Sequence, residues 1–242
     1  MNLIQSILLA IVQGIAEFLP ISSSGHLNLL QHFLGLTPSL TFDIFLNTAT
    51  LLSVLFFFRK KLSYFFSNLP QIIIGSIPAA FIGIFFKDQI ESIFADISLL
   101  PLFFMFTATF LFITKYLPVK NNKLTYRHAF IIGLFQAFAI LPAVSRSGST
   151  IFAGLLLGLS PLQAFNFSFA LFIPASLGAL LLDLKKLSDL NLTNPLYIIS
   201  FIITFIVGVL ALTLLQKILV NQKIWVFGVY ALLLSIVLMF VL

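Results

Sequence analysis

Long apolar runs separated by short polar breaks dominate this chain. The apolar segments occupy roughly 3–19, 26–36, 40–58, 70–86, 98–117, 128–141, 149–159, 162–182, 196–216 and 224–242. A helix rises about 1.5 Å per residue, and the hydrocarbon core of a bilayer is about 30 Å thick. The longer runs therefore predict membrane-spanning helices. Segments 26–36 and 149–159 cover only about 16 Å each, half of that thickness. Each follows a break rich in Pro, Ser and Gly, so each break and its flanking segments predict a re-entrant helical hairpin. Broken backbone is tolerated at membrane depth only where it is buried in protein or lines a wet cavity.

The two breaks repeat one another. The first reads Gln13-Gly14-Ile15-Ala16-Glu17-Phe18-Leu19-Pro20-Ile21-Ser22-Ser23-Ser24-Gly25-His26. The second reads Gln136-Ala137-Phe138-Ala139-Ile140-Leu141-Pro142-Ala143-Val144-Ser145-Arg146-Ser147-Gly148-Ser149. An offset of 123 superposes Gln13 on Gln136, Ser22 on Ser145, Ser24 on Ser147 and Gly25 on Gly148. It also superposes Gly35-Leu36-Thr37-Pro38 on Gly158-Leu159-Ser160-Pro161, and Asp43 on Asn166. Eleven of the 41 positions from 13 to 53 are identical at this offset, against roughly three or four expected from so biased a composition. Duplicated broken helices in an apolar chain are the pattern of a midplane binding site.

Composition sharpens the class. Of 242 residues, 60% are hydrophobic and 8% charged, and mean hydropathy is +1.15. That excludes a soluble domain and predicts one integral membrane domain over 1–242, with repeat one about 1–117 and repeat two about 124–242. The net charge of +6 lies in short loops, where Lys and Arg orient spans, so no nucleic-acid partner is expected. There are no cysteines, which excludes disulfides and thiolate metal sites. No basic stretch precedes the first apolar run, which is read as part of the bundle and not as a cleaved leader.

The loops then set an orientation. Arg59-Lys60-Lys61 is one basic cluster, and Lys115, Lys120, Lys123 and Arg127 form a second. Between them Asp88, Glu91 and Asp96 stand against a single Lys87. Both basic clusters are expected inside, with Lys217 and Lys223, and the acidic loop outside. About six full transmembrane spans and two hairpins follow, with both termini outside. The copies then begin on opposite sides, an inverted-topology repeat in an all-α polytopic membrane protein. The loop from Asp183 to Asp189, expected outside, carries Lys185 and Lys186 and runs weakly against this. The thirty Phe residues are spread over every span, as lipid-facing bulk and packing would be. Trp225, at the start of the last span, reads as an interfacial anchor.

The chemistry gathers at the breaks. Glu17 is the only acidic residue in its apolar segment, and a carboxylate inside a span is a functional-site hypothesis by default. Gln13 lies one turn earlier on the same face. Arg146 requires an anionic partner at depth, which is Glu17, a bound anion, or each in turn. Its planar fork suits phosphate oxygens. Ser22, Ser23, Ser24 and Gly25 in one break, and Ser145, Ser147, Gly148, Ser149 and Thr150 in the other, precede helices. Hydroxyls and N–H groups there make a ready phosphate site, although ordinary N-capping uses the same residue types. His26 is a candidate general acid or base, or a phosphate ligand. His32 and His128 lack such company and read as structural. Asp43 and Asn47 are placed at the cavity rim. The set suits phosphoryl chemistry, which is mostly positioning and charge stabilisation.

At these residues the chain resembles the undecaprenyl-diphosphatase family, also called the bacitracin-resistance protein family. The family's (Glu/Gln)-x-x-x-Glu motif leading into Pro-x-Ser-Ser-x-Gly-His is similar to Gln13 through Glu17 and Pro20 through His26. Its Pro-Gly-x-Ser-Arg-Ser-Gly-x-Thr motif is similar to Pro142 through Thr150. Two departures stand out: Gln13, where many members have Glu, and Ala143, where the family has Gly. The first leaves a single carboxylate in the motif, and the second denies the backbone glycine's freedom.

The resemblance implies hydrolysis of undecaprenyl diphosphate to the monophosphate carrier of cell-wall synthesis. It implies a divalent cation (Mg2+ or Ca2+) and an active site facing the extracytoplasmic side of a multi-pass bacterial cell membrane protein. Glu17 would hold the metal or activate the nucleophile. Ser23 would be that nucleophile, with a metal-activated water as the alternative. His26 would handle protons, and Arg146 would stabilise the transferred phosphoryl group. Gln13, Ser22, Ser24, Gly25, Ser145, Ser147, Gly148 and Thr150 would form the binding cradle. The expected partners are a polyprenyl diphosphate lipid and membrane lipids; a homodimer stays open. The alternative function is a polyprenyl-phosphate transporter or flippase using the same midplane site.

Overall fold

A computed structural model describes residues 1–36, 40–182 and 194–242. Thr37 and Pro38 of the repeat and the loop from Asp183 to Asp189 lie outside the described residues. The described chain is all helical, with twelve α-helices. They are α1 (Leu3–Ala16), α2 (Ser23–Phe33), α3 (Leu40–Phe57), α4 (Leu62–Ser67), α5 (Leu69–Phe85) and α6 (Lys87–Ala95). There follow α7 (Leu100–Ile113), α8 (Tyr126–Phe138), α9 (Arg146–Leu156), α10 (Pro161–Leu182), α11 (Pro195–Val220) and α12 (Val226–Val241).

Local chemistry sets several of the ends. Asn2 and Gln5 close a capping box that starts α1. Asn194 caps α11, with Pro195 in its first turn, where no intrahelical N–H bond is lost. Ser22 caps α2 and Ser145 caps α9, each accepting a bond from the N–H of the glycine three residues on. Ser23 and Arg146 are therefore the first helical residues after the two breaks.

Among the described residues, three segments are long and apolar enough to cross a bilayer: 97–116 around α7, then α10 and α11. The pair α5 and α6 makes a fourth if counted as one span bent by 76°. Helices α1, α12 and the stretch 41–57 are apolar but shorter. The protein is thus a helical membrane protein. Residues 87–95, read from sequence as an acidic loop, form the amphipathic α6, with Lys87 and Glu91 3.8 Å apart one turn from each other.

Helix pairs do the packing: α1 on α11, α5 on α8, α7 on α12, with α3 against α11 and α9 between α8 and α10. Small residues let backbones meet. A Cβ on Gly133 would lie 2.3 Å from the Gly75 carbonyl, so α5 and α8 touch main chain to main chain. Hydroxyls bridge the other seams, from Thr204 Oγ1 to the Ala10 carbonyl at 3.0 Å and from Ser235 Oγ to the Pro101 carbonyl at 2.6 Å. The phenylalanines divide as expected. Phe18, Phe58, Phe165 and Phe169 are fully buried and interlock at the centre, whereas Phe66, Phe85 and Phe240 face outward. Lys115 stacks on Trp225 at 4.7 Å, which ties one basic cluster to the start of α12.

Positions 123 apart behave alike locally. Both short helices have 11 residues and a serine cap. Both are followed by a left-handed glycine, Gly35 at φ +63° and Gly158 at φ +81°. The breaks differ in one respect: Ser22 has φ +72°, while Ser145 takes an ordinary extended conformation. Ala143, where the family motif has glycine, sits at φ +59° and is fully buried. That left-handed conformation costs about 1–2 kcal/mol for a residue with a Cβ. The Ala143 carbonyl and the Ser145 N–H are both held by Thr107 of α7, at 2.9 Å each.

Candidate active site

The two breaks meet around an open cavity of about 330 Å³. Its polar wall is Glu17, Ser22, Ser23 and Ser24 from one break, with Ser145 and Arg146 from the other. Small and apolar side chains complete it, among them Ala16, Ala175, Ala179 and Phe172, with Asn47 and Ser176 on the α3 and α10 side.

Glu17 is the hub. It follows the last residue of α1, so its backbone is still helical and its side chain points along the face of Gln13. Its Oε1 accepts from Arg146 Nη2 at 2.8 Å. Its Oε2 accepts from Ser23 Oγ at 2.5 Å and from Gln13 Nε2 at 3.2 Å. Three donors from α1, α2 and α9 thus converge on one carboxylate. Arg146 Cζ also lies over the Phe172 ring, 4.1 Å from its centre, a cation–π contact. Its Nη1 is buried and has no partner among the described residues. A buried donor without an acceptor is costly, and an anion entering the cavity would supply one.

The hydroxyls fall into matching pairs. Ser22 and Ser24 Oγ are 3.2 Å apart, and Ser145 and Ser147 Oγ are 3.3 Å apart. Gly25 and Gly148 give their N–H groups to the capping serines. A Cβ on Gly25 would lie 2.6 Å from Phe104 and 2.9 Å from Ala143, so glycine there lets one break pack against the other. Thr150 is turned away from the cavity, bonded to the Arg146 carbonyl at 2.9 Å and to Ser168 Oγ at 2.6 Å.

The structure does not bring His26 into this cluster. Its ring is turned toward α12, with Nδ1 2.7 Å from the Ser22 carbonyl and Nε2 2.7 Å from the Tyr230 hydroxyl. Among the described residues Gln136, unlike Gln13, has no partner for its buried amide, and neither does Asn166 Oδ1. Asp43 accepts from Gln31 Nε2 at 2.7 Å, away from the cavity wall. Asn47 does line the cavity and pairs with Ser176 at 3.3 Å. Sequence reasoning did not single out Phe172, Ser176 or Tyr230. Phe172 is one of thirty phenylalanines and carried no signal of its own.

Among the described residues, no three His, Asp or Glu side chains come together to hold a metal. Glu17 is the one carboxylate on the cavity wall. Mg2+ is commonly bound by one or two carboxylates together with substrate phosphates. Glu17 and the surrounding serine hydroxyls are oxygen donors of that kind, with no three-residue cage among the described residues.

Residues 6–237 match the family of the bacitracin resistance protein BacA. The chain belongs to that family. Among its relatives, an undecaprenyl-diphosphatase of Methanococcus vannielii is 38% identical, with 98% of this chain and 99% of the relative aligned. An undecaprenyl-diphosphatase of Thermosipho africanus is 37% identical over 97% and 98% of the two chains. Undecaprenyl-diphosphatase 2 of Bacillus thuringiensis is 36% identical over 97% and 96%. In this member of the family, position 13 is a glutamine that donates to Glu17, so the carboxylate stands without an acidic neighbour on its own helix.

Proposed function

We propose that this chain is an undecaprenyl-diphosphate phosphatase that releases inorganic phosphate and leaves undecaprenyl phosphate. Full-length similarity to relatives of that name supports the activity. The observation that carries the mechanism is the convergence of Ser23 and Arg146 on Glu17.

The terminal phosphate enters the cavity and takes the unpartnered Nη1 of Arg146. Ser23 Oγ passes its proton to Glu17 as it attacks the terminal phosphorus. The bond from that phosphorus to the bridging oxygen breaks, and undecaprenyl phosphate leaves. Glu17 gives up that proton to the departing undecaprenyl phosphate; water then hydrolyses the phosphoserine, its oxygen going to phosphorus, one hydrogen restoring the Ser23 hydroxyl and the other leaving with the phosphate. Arg146 gathers charge on the transferring group, and the serine-capped starts of α2 and α9 add oriented N–H groups. A divalent cation, held by Glu17 and diphosphate oxygens, would neutralise phosphate charge when bound. Both His26 ring nitrogens are engaged, with the Ser22 carbonyl and the Tyr230 hydroxyl, so in this reading proton handling falls to Glu17. In this reading the lipid tail leaves the cavity along its apolar side, where Ala16, Phe172, Ala175 and Ala179 line the wall.

The same reading places the two breaks as re-entrant hairpins of an inverted-topology repeat with about six spans, its cavity open to the extracytoplasmic side. The matched caps, the left-handed glycines and the paired hydroxyls at an offset of 123 support the repeat. The test is phosphate release from undecaprenyl diphosphate by purified protein, wild type beside Ser23→Ala and Ser22→Ala. A large loss for Ser23→Ala alone is expected. Equal, small losses would replace the serine with a water nucleophile.

A further inference from the structure

Ser22 is a residue with a Cβ at φ +72° and ψ +105°. Such a conformation persists only where its surroundings over-determine it. In the second break the matching Ser145 is relaxed, and its carbonyl accepts the first helical bond from Ser149 N–H at 2.8 Å. In the first break the corresponding bond, from His26 N–H to the Ser22 carbonyl, is stretched to 3.3 Å. The His26 ring makes up the difference, because Nδ1 lies 2.7 Å from that same carbonyl. A carbonyl can only accept, so Nδ1 carries the hydrogen. The neutral ring then offers Nε2 as an acceptor, and the Tyr230 hydroxyl lies 2.7 Å away to donate to it. The Tyr230 and His26 ring planes are nearly parallel, 16° apart with centres 5.7 Å apart, as a hydroxyl reaching the in-plane Nε2 lone pair requires, while Phe104 meets the imidazole edge-on at 5.4 Å. The imidazole is fixed in tautomer, direction and tilt. Its next-but-one link is Ser23, which follows the turned peptide and places Oγ on Glu17.

We infer that His26 and Tyr230 are positioning residues: Tyr230 fixes the ring, the ring holds the turned Ser22 peptide, and that peptide aims Ser23 at Glu17. The inference rests on Ser23 being the nucleophile. It makes the half-exposed tyrosine of α12, 204 residues from its partner, part of the machinery of a cavity that it does not line.

The test uses full-length protein in detergent, with undecaprenyl diphosphate as substrate and melting temperature as a folding control. Asparagine carries its amide nitrogen near the place of Nδ1, and glutamine near that of Nε2. His26→Asn is expected to keep kcat within about tenfold of wild type. His26→Gln is expected to lose about a hundredfold, the scale of a nucleophile misplaced by about 1 Å. Tyr230→Phe is expected to lower kcat about tenfold with KM within about twofold. It should have no further effect in the His26→Asn background, because its target is then absent. A fully active Tyr230→Phe variant would overturn the inference, as would His26→Asn being as inactive as His26→Gln. Wild-type protein that releases no phosphate would overturn the hydrolase reading instead. The pairing would then be read from nitrogen resonances of labelled histidine, with hydrogen on Nδ1 and a change at Nε2 in Tyr230→Phe. Hydrogen on Nε2 would overturn the inference whatever the activity.

Discussion

Replacing Arg146 by alanine separates two roles of the guanidinium, in stability and in turnover. Nη2 is 2.8 Å from Glu17, the Phe172 ring centre is 4.1 Å from Cζ, and Nη1 has no partner among the described residues. Removing one member of a fully buried ion pair costs about 3–5 kcal/mol, because the remaining charge is left uncompensated. Here Glu17 keeps its bonds from Ser23 and Gln13, and the Arg146 and Glu17 side chains retain 16% and 12% exposure to the cavity. A loss of about 2 kcal/mol is therefore expected, below the fully buried range. Turnover should suffer more. A guanidinium stabilising a transferring phosphoryl group is worth about 10³–10⁵ in rate, or about 4 kcal/mol and upward at about 1.4 kcal/mol per tenfold. Arg146→Lys keeps the charge but loses the planar fork and the stacking, so it should fall between alanine and wild type. The assay pairs phosphate release with thermal unfolding in detergent. Arg146→Ala that folds and keeps activity within about tenfold of wild type would refute the phosphate-site reasoning.

Other outcomes can be checked alongside. Ser23→Ala should lose about a thousandfold in kcat. Ser22→Ala, which removes a long 3.4 Å cap bond and the 3.2 Å contact with Ser24 Oγ, should lose far less and cost about 0.5–1 kcal/mol of stability. Gly25→Ala should lower the melting temperature by forcing apart Phe104 and Ala143, at about 1–3 kcal/mol. Gly178→Ala, inside α10 with nothing within 4 Å of the added Cβ, should raise it through about 0.5–1 kcal/mol of backbone entropy. Asn121→Cys, exposed between α7 and α8, should react with an impermeant thiol reagent only from the cytoplasmic side. Reaction from outside would invert the proposed orientation.

The legible part of this site is the part that elementary electrostatics dictates. A lone carboxylate and a lone guanidinium in apolar segments must find each other or an anion, and Glu17 and Arg146 do meet. The i, i+4 spacing of Gln13 and Glu17 likewise fixed their contact in advance. The direction of the His26 ring was not legible, because it depends on Tyr230, far along the chain and marked by nothing local. The left-handed Ser22 gave no glycine signal, whereas Ala143 was flagged by the glycine that the family motif has there. Fold reading shows the same division. The short lengths of 26–36 and 149–159 anticipated α2 and α9. Helix α6 was missed because three acidic residues within ten positions read as loop, although residues one turn apart can share a helical face. Pro174 sits inside α10 without ending it. A proline can be carried within a membrane helix when neighbouring groups satisfy the freed backbone.

The central claim is that Glu17 organises a phosphatase site at the meeting of the two breaks. Its most direct test is phosphate release from undecaprenyl diphosphate by purified protein, wild type beside Glu17→Ala, with and without a chelator. Release that is lost both with Glu17→Ala and on chelation is the expected result. Undiminished release by Glu17→Ala, or none from well-folded wild type, would contradict the account.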